Sequence, residues 1–382
     1  MIRLQRRLRV DRRRSITLRL AGVVISLLVA GVVLQISGSP ALMLGRRAVE
    51  TMTTPYGMEQ GLVLATPILL TALAVALGFR MRLWNIGVDG QLYIGALAAT
   101  GIGLNVNGPT WLMLTLMMVA GAAGGAFWIL GPALARAYGR VNEIITTLLM
   151  NFVALQVVNW LSLGPWRDST IPDLSATRRI PYELPILPGT NTVPIGVIAP
   201  FLIAAVVFFI FRFTTWGYEV DISGGNARAA EYAGIDVRRR IVSVMCISGA
   251  IAGASGAILV AGTTHRLSST ISNQYGFSGF IVAALAAGAI VVLILVGLLV
   301  AGLLVAAITL QTLGLSVDAV LALYGLILIG NVVAEVAARY RVVRTTKPPP
   351  ELQFAPAEAL AGAGPQGLSA LTAAGSPPES TD

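Results

Sequence analysis

Three residue types are nearly missing from this 382-residue chain, and each shortage removes a class of chemistry. Cysteine occurs once, at Cys246, so no internal disulfide can form and the chain carries no redox signature. Histidine occurs once, at His265, which excludes the paired histidines of H-E-x-x-H zinc chemistry. Lysine occurs once, at Lys347, and no G-x-x-x-x-G-K-[ST] string exists, so the chain cannot cradle ATP on a P-loop. No nucleophile–base pair or metal-ligand constellation stands out. No catalytic residue, metal ligand or bound cofactor is therefore assigned, and an enzyme is not expected.

Charge is scarce as well: 12% of residues are charged against 55% hydrophobic, and the mean hydropathy is +0.78. What is plentiful is apolar sequence in runs of about eighteen residues or more, the length that crosses hydrocarbon. The expectation is an all-α polytopic membrane protein of about ten segments. They fall at 17–36, 61–79, 86–104, 111–135, 144–163, 193–213, 241–262, a short or re-entrant piece from 277, about 291–313, and 320–336. The apolar run 277–311 is too long for one crossing at 1.5 Å per residue, so a turn is expected near Ala287-Gly288. Eight arginines in residues 1–19 face Asp11 alone. This layout leaves Arg46, Arg47, Arg167, Arg178, Arg179 and Arg266 outside and the other basic residues inside, the sign that the positive-inside rule requires. Both termini are then cytoplasmic. The net charge of +9 is read as an orientation signal with lipid as the partner, not nucleic acid. The organisation expected is a basic arm at 1–16, a membrane domain at 17–344 with an outer loop at 164–193, and a disordered Pro/Ala/Gly/Ser-rich tail at 345–382. A short interfacial helix is expected near Ala48.

The polar interruption Thr214–Arg240 organises the rest. Gly224-Gly225 supplies a turn. Asn226 is a good N-cap, and Ala227 to Ala233 is strong helix sequence. Gly234 is a C-terminal stop, and Asp236 can cap the next helix. Two turns span about 10 Å, too short to cross anything. An aqueous-side helix of this kind suits docking to another protein, and an ordinary loop helix is the plain alternative. The order G-x-N-x-x-A-A-x-Y-A-G-I (Gly224–Ile235), followed by ISGAIAGASGA (Ile247–Ala257), resembles the permease subunits of bacterial ABC importers for nucleosides, simple sugars and branched-chain amino acids. That resemblance implies a coupling helix: Gly224, Gly225, Asn226, Arg228, Ala229, Ala230, Tyr232, Ala233 and Gly234 would meet a cytoplasmic ABC ATPase.

Two further strings carry the resemblance. LWNIGVDGQLYIG (Leu83–Gly95) is similar to the family's N-I-G-x-[DE]-G-Q string. Glycines between Asn85, Asp89 and Gln91 suggest a broken helix, tolerated at depth only where protein or water covers it. Asn85 and Gln91 would offer hydrogen bonds to a polar solute along the translocation path. Asp89 would either fix the break or, as the plainer reading, sit at the cytoplasmic interface next to Arg80 and Arg82 as an N-cap or ion-pair partner. VNEIITTLLMN (Val141–Asn151) resembles the family's V-N-E pattern, with Asn142 opening a span and Asn151 near mid-bilayer, facing solute or another helix. Glu143 is expected to pair with an arginine such as Arg140. Gln274–Gly279 resembles the family's Y-G-F-x-G string, but the polar, arginine-bearing turn that usually follows is replaced here by AAGAIVVLIL (Ala286–Leu295). The steps Gly121-x-x-x-Gly125, Gly249-x-x-x-Gly253 and Ala252-x-x-x-Gly256 are read as close packing within the subunit.

The resemblance implies a bacterial inner-membrane permease working with a second permease subunit, an ABC ATPase and an extracytoplasmic solute-binding lipoprotein. Neutral polar groups in the membrane favour nucleosides or sugars. The alternative is an ion-gradient-driven secondary transporter, for which Asp89 is the one, weak, intramembrane carboxylate.

Overall fold

The computed structural model describes residues 40–171, 175–286 and 289–312, with short pieces and single positions in 2–36 and 325–344. The chain divides into two units. In the smaller one, β1 (Ile2–Arg6) pairs antiparallel with β2 (Tyr340–Arg344), with Ile2 opposite Arg344 and Arg6 opposite Tyr340. The residues expected as a disordered tail, and most of the segments expected at 17–36 and 320–336, lie outside the described residues.

The larger unit is helical: α1 (Ala41–Thr53), α2 (Pro55–Arg80), α3 (Val88–Asn105), α4 (Thr110–Gly139), α5 (Glu143–Leu163), α6 (Ala199–Phe213), α7 (Thr215–Gly225), α8 (Ala227–Tyr232), α9 (Val237–Leu259, prolonged by a π turn at Val260–Thr264), α10 (Tyr275–Ala286) and α11 (Ile290–Thr312). Among the described residues six are long and apolar enough to cross a membrane: α2, α4, α5, α6 with its leading 3-10 turn, α9 and α11. The protein is thus multi-pass. α1 is the short helix expected near Ala48. The apolar run beginning at Phe277 is divided as its length demanded, into the 12-residue α10 and a full-length α11.

Local signals explain most boundaries. Thr54 caps α2, its hydroxyl accepting from Gly57 N at 3.1 Å, and Pro55 stands where its missing N–H costs nothing. Thr214 caps α7 in the same way, accepting from Gly217 N at 3.2 Å. Arg140 ends α4 in the left-handed region at φ 55°.

α2 and α9 are enclosed over most of their length, whereas a third or fewer of the residues in the apolar stretches of α4, α5, α6 and α11 are buried. Around α9 pack α2, α3 and α4. The small-residue steps make this possible. A Cβ on Gly253 would overlap the Gly121 carbonyl oxygen, and one on Gly125 would overlap that of Gly249. In a bilayer such close approach is the main source of helix association, because lipid tails are as apolar as leucine. The steps therefore seal α4 to α9 inside one subunit, as the sequence suggested.

Candidate functional site

Two polar regions stand out in the larger unit, one buried and one at the Arg80 end of α2. The buried region is built on residues 81–87, a non-helical stretch between α2 and α3. Asn85 and Gln91 are fully buried and exchange two hydrogen bonds, Asn85 Nδ2 to Gln91 Oε1 at 3.1 Å and Gln91 Nε2 to Asn85 Oδ1 at 2.9 Å. Asn85 Nδ2 also donates to Ser248 Oγ on α9 at 2.9 Å, and Ser248 donates onward to the Ala74 carbonyl on α2 at 2.6 Å. Asn151, on α5, inserts its amide into the first turn of α3: its Oδ1 accepts from Gly90 N at 2.8 Å and its Nδ2 donates to the Ile86 carbonyl at 2.9 Å. An α-helix would join those two backbone groups directly. Here a side chain from a neighbouring helix stands between them.

Asp89 is buried too, in the first turn of α3. Its Oδ1 accepts from Ser272 Oγ and from Gly276 N, the latter at 2.9 Å. It pairs with neither Arg80 nor Arg82, which corrects the ion-pair half of the plainer expectation and leaves its capping half; Arg80 instead reaches Asp221 at 3.4 Å and lies over the Phe211 ring. The reason is position. Val88 opens α3 inside the packed core, so Asp89 meets the start of α10 and caps it in trans. Thr71 of α2 adds a bond to the Tyr275 carbonyl at 3.1 Å. The glycine-rich string is thus a knot joining α2, α3, α5, α9 and α10, and its amides are spent on one another, on the Ser248 hydroxyl and on backbone. Asn142 lies apart, exposed, as the N-cap of α5, accepting from Ile144 N at 2.9 Å. Glu143 is buried and pairs with Arg136 at 3.2 Å, not with Arg140, which the left-handed end of α4 separates from it. Ser248 and Ser272 were not singled out in the sequence. They stand 163 and 183 residues from their partners, and no local pattern marks them.

The second region is the turn from α6 to α9. The sequence expected one helix there and a free turn at Gly224-Gly225. Two helices are found, and the glycines are the last residues of α7. Gly224 is required for contact, not for turning: a Cβ there would overlap the Arg80 carbonyl, so α7 lies directly on the end of α2. Asn226 caps α8 as expected, accepting from Ala229 N at 3.2 Å. The stop is a complete Schellman motif. Ile235 N donates to the Ala230 carbonyl and Gly234 N to the Glu231 carbonyl, both at 3.0 Å, with Gly234 at φ 81°. Asp236 caps α9 through Arg239 N at 3.1 Å. Arg228, Ala229 and Ala233 are exposed, as is Tyr232 at 94%. Ala230 is fully buried, which removes it from any outward face.

At the opposite end, the described residues of 164–194 form an irregular cap held by isolated β-bridges, Arg167 with Thr177, Ala176 with Ser268 and Ile186 with Pro194. The Asp168 carboxylate is pulled down to about 2, first by the Thr170 hydroxyl and then by Arg266 at 2.7 Å. Thr177 N donates to the Leu267 carbonyl at 3.0 Å and Ile180 N to the His265 carbonyl at 2.9 Å. Glu59, at the start of α2, accepts from Asn191 N and Thr192 N at 3.1 and 3.0 Å.

Comparison with known proteins accounts for these strings together. Residues 57–336 match the family model described as the permease component of branched-chain amino acid transport systems. The chain is 32% identical over 354 residues to the glucose ABC transporter permease protein of Haloferax volcanii, covering 88% of this chain and 93% of that protein. It is 36% identical over 236 residues to the guanosine ABC transporter permease protein of Bacillus subtilis (60% of this chain, 67% of that protein) and 30% identical over 234 residues to a nucleoside ABC transporter permease protein of Lactococcus lactis (58% and 64%). No solved structure matches. The matched span runs through the buried knot, the α7–α8 turn and the short α10 alike, and the chain belongs to the family of permease components of branched-chain amino acid transport systems.

Proposed function

We infer that this permease subunit imports nucleosides or simple sugars across a bacterial inner membrane, driven by a separate cytoplasmic ABC ATPase that docks on α8. The observation that carries the reading is the construction of the α7–α8 turn. A two-turn helix with Arg228 and Tyr232 outward is fixed at both ends by its own caps. The preceding helix, α7, lies directly on the end of α2 at Gly224. Such a body transmits a push instead of absorbing it, since packed elements are not continuously deformable. Force on α8 passes through α7 to α2 and α9, the two most enclosed helices.

The uncovered flanks of α4, α5 and α6 suit a second permease subunit, and the cap at 164–194 suits an extracytoplasmic solute-binding lipoprotein. The relatives named for glucose, guanosine and nucleosides support an uncharged, hydroxyl-rich or amide-bearing solute. Affinity purification of the full chain from detergent extracts, with its neighbouring gene products co-expressed, tests the central claim. Recovery of an ABC ATPase that is lost on Tyr232→Ala, with the chain still membrane-inserted, is expected. Uptake that persists without any such ATPase would return the secondary-transporter reading.

A further inference from the structure

The geometry points to a solute lane on residues 263–277, ending at Asn273 and Gln274, and deepens the import reading on which it rests. The segment 265–274 is not helical. It leaves the outer cap, where Ile180 N holds the His265 carbonyl, and runs down the side of α3. Tyr93 Oη holds the Ser269 carbonyl at 2.6 Å, and one turn deeper Asp89 holds Ser272. Thr71 then fixes Tyr275, where α10 begins. Thr71 lies twelve residues along α2 from Glu59 and nine from Arg80, about 18 and 14 Å at 1.5 Å per residue. Asn273 and Gln274 therefore sit near the middle of a hydrocarbon slab about 30 Å thick.

Both are exposed, as are Thr263, Thr264 and Thr270 above them. Phe277 follows one turn below, 37% exposed. Non-helical backbone at membrane depth survives only where protein covers it or water reaches it. The knot around Asn85, Gln91 and Asn151 is the covered kind. The 263–274 segment is the other kind: the hydroxyls of Thr263, Thr264 and Thr270 are bonded locally, but the Asn273 and Gln274 side chains are exposed at a depth where lipid offers an amide no partner. The lane carries no free charge, because Arg266 is paired with Asp168 and the Asp89 carboxylate is turned to Ser272 and Gly276. Two neutral amides above an aromatic ring suit a neutral solute with several donors and acceptors and one flat or weakly polar face. A nucleoside or a monosaccharide fits that description. Asn273 also lies within reach of the Tyr275 hydroxyl, which orients it.

The test uses the full chain with its co-expressed partners, in a Cys246→Ser background. Asn273→Cys and Gln274→Cys are exposed to a membrane-impermeant cationic thiol reagent in whole cells, with Asn191→Cys as an outer-loop reference and Leu202→Cys as an apolar-face reference. Reaction at 273 or 274 within about tenfold of the Asn191→Cys rate, slowed by whichever of guanosine or glucose the parent imports, is expected. Leu202→Cys should stay inert. No reaction at either position while Asn191→Cys reacts would mean that a partner subunit or lipid seals them, and overturns the lane. Reaction without protection by an imported solute overturns the contact. Gln274→Leu should separately lower uptake about tenfold, one lost hydrogen bond, with ATPase recovery unchanged. Loss of ATPase recovery in the parent itself would instead count against the import reading.

Discussion

The Arg240 guanidinium lies 2.6 Å from the Glu219 carboxylate, tying the first turn of α9 to the middle of α7. The pair is about 30% exposed on each side. It is a contact of charges more than an aligned hydrogen bond, since Glu219 Oε2, the oxygen facing the guanidinium, has no hydrogen-bond partner among the described residues. Glu219→Gln keeps the shape and removes the charge. We expect it to loosen α7 from α9 at a cost of about 1–2 kcal/mol, between exposed and buried pairs. Uptake should fall while ATPase recovery persists. The charge-swapped double variant Glu219→Arg, Arg240→Glu should regain part of the uptake, as measured in a double-mutant cycle.

Tyr232 and Ala230, two residues apart on α8, should behave in opposite ways. Tyr232→Ala or Arg228→Glu alters only an exposed face, so melting temperature in detergent should not move while ATPase recovery drops at least about tenfold, as for a lost aromatic anchor. Ala230→Arg forces a charged chain into a fully buried position whose carbonyl closes the Schellman motif. It should abolish uptake by unfolding the turn, visible as new protease sensitivity between 214 and 240. Gly225→Arg meets open space and should act like the surface variants.

Much of this was readable from the chain alone, and the limits have physical causes. The caps at Asn226, Gly234 and Asp236 are local, set by a few neighbouring residues, so spacing reveals them. The split of the run beginning at Phe277 follows from length against bilayer thickness. Gly224 was misread because a glycine that permits a turn and one that permits contact look identical in sequence; only the Arg80 carbonyl above it distinguishes them. For Asp89 the neighbouring arginines offered an ion pair beside a capping role, and its donors in fact come from Ser272 and Gly276 across the fold, which no local spacing shows. Asn85 and Gln91 looked like solute ligands because polar groups in apolar sequence need partners, but sequence cannot say that each is the partner of the other.

Asn151 offers the sharpest stability test. Replacing it with leucine leaves Gly90 N and the Ile86 carbonyl facing each other across a gap, each having lost its partner. At about 1–3 kcal/mol for each of the two stranded groups, a total of about 2–6 kcal/mol is expected. Thermal unfolding in detergent should show a large drop for Asn151→Leu. A small one is expected for the exposed cap variant Asn142→Ser, because serine also caps well. Equal, small effects would mean that water reaches the start of α3.

The Asp168–Arg266 pair makes the outer cap acid-sensitive in a defined window. The carboxyl titrates near 2 in the folded chain, against 3.8 for an unperturbed aspartate, because Thr170 and Arg266 stabilise the charged form. A folded-state value below the unfolded one means that the stabilisation is complete above about 4 and is lost as pH falls toward 2. Protonation releases Arg266, which also holds the Thr177 carbonyl at 2.9 Å, and Thr177 is the residue that joins the cap to Leu267. Hydrogen exchange at the amides of Asp168, Thr177 and Ile180, corrected for the intrinsic rate, should therefore stay slow from neutral pH to about 4 and accelerate below it. In Asp168→Asn the same amides should exchange faster at neutral pH and show no transition in that window, since asparagine accepts from Thr170 but cannot balance the guanidinium charge.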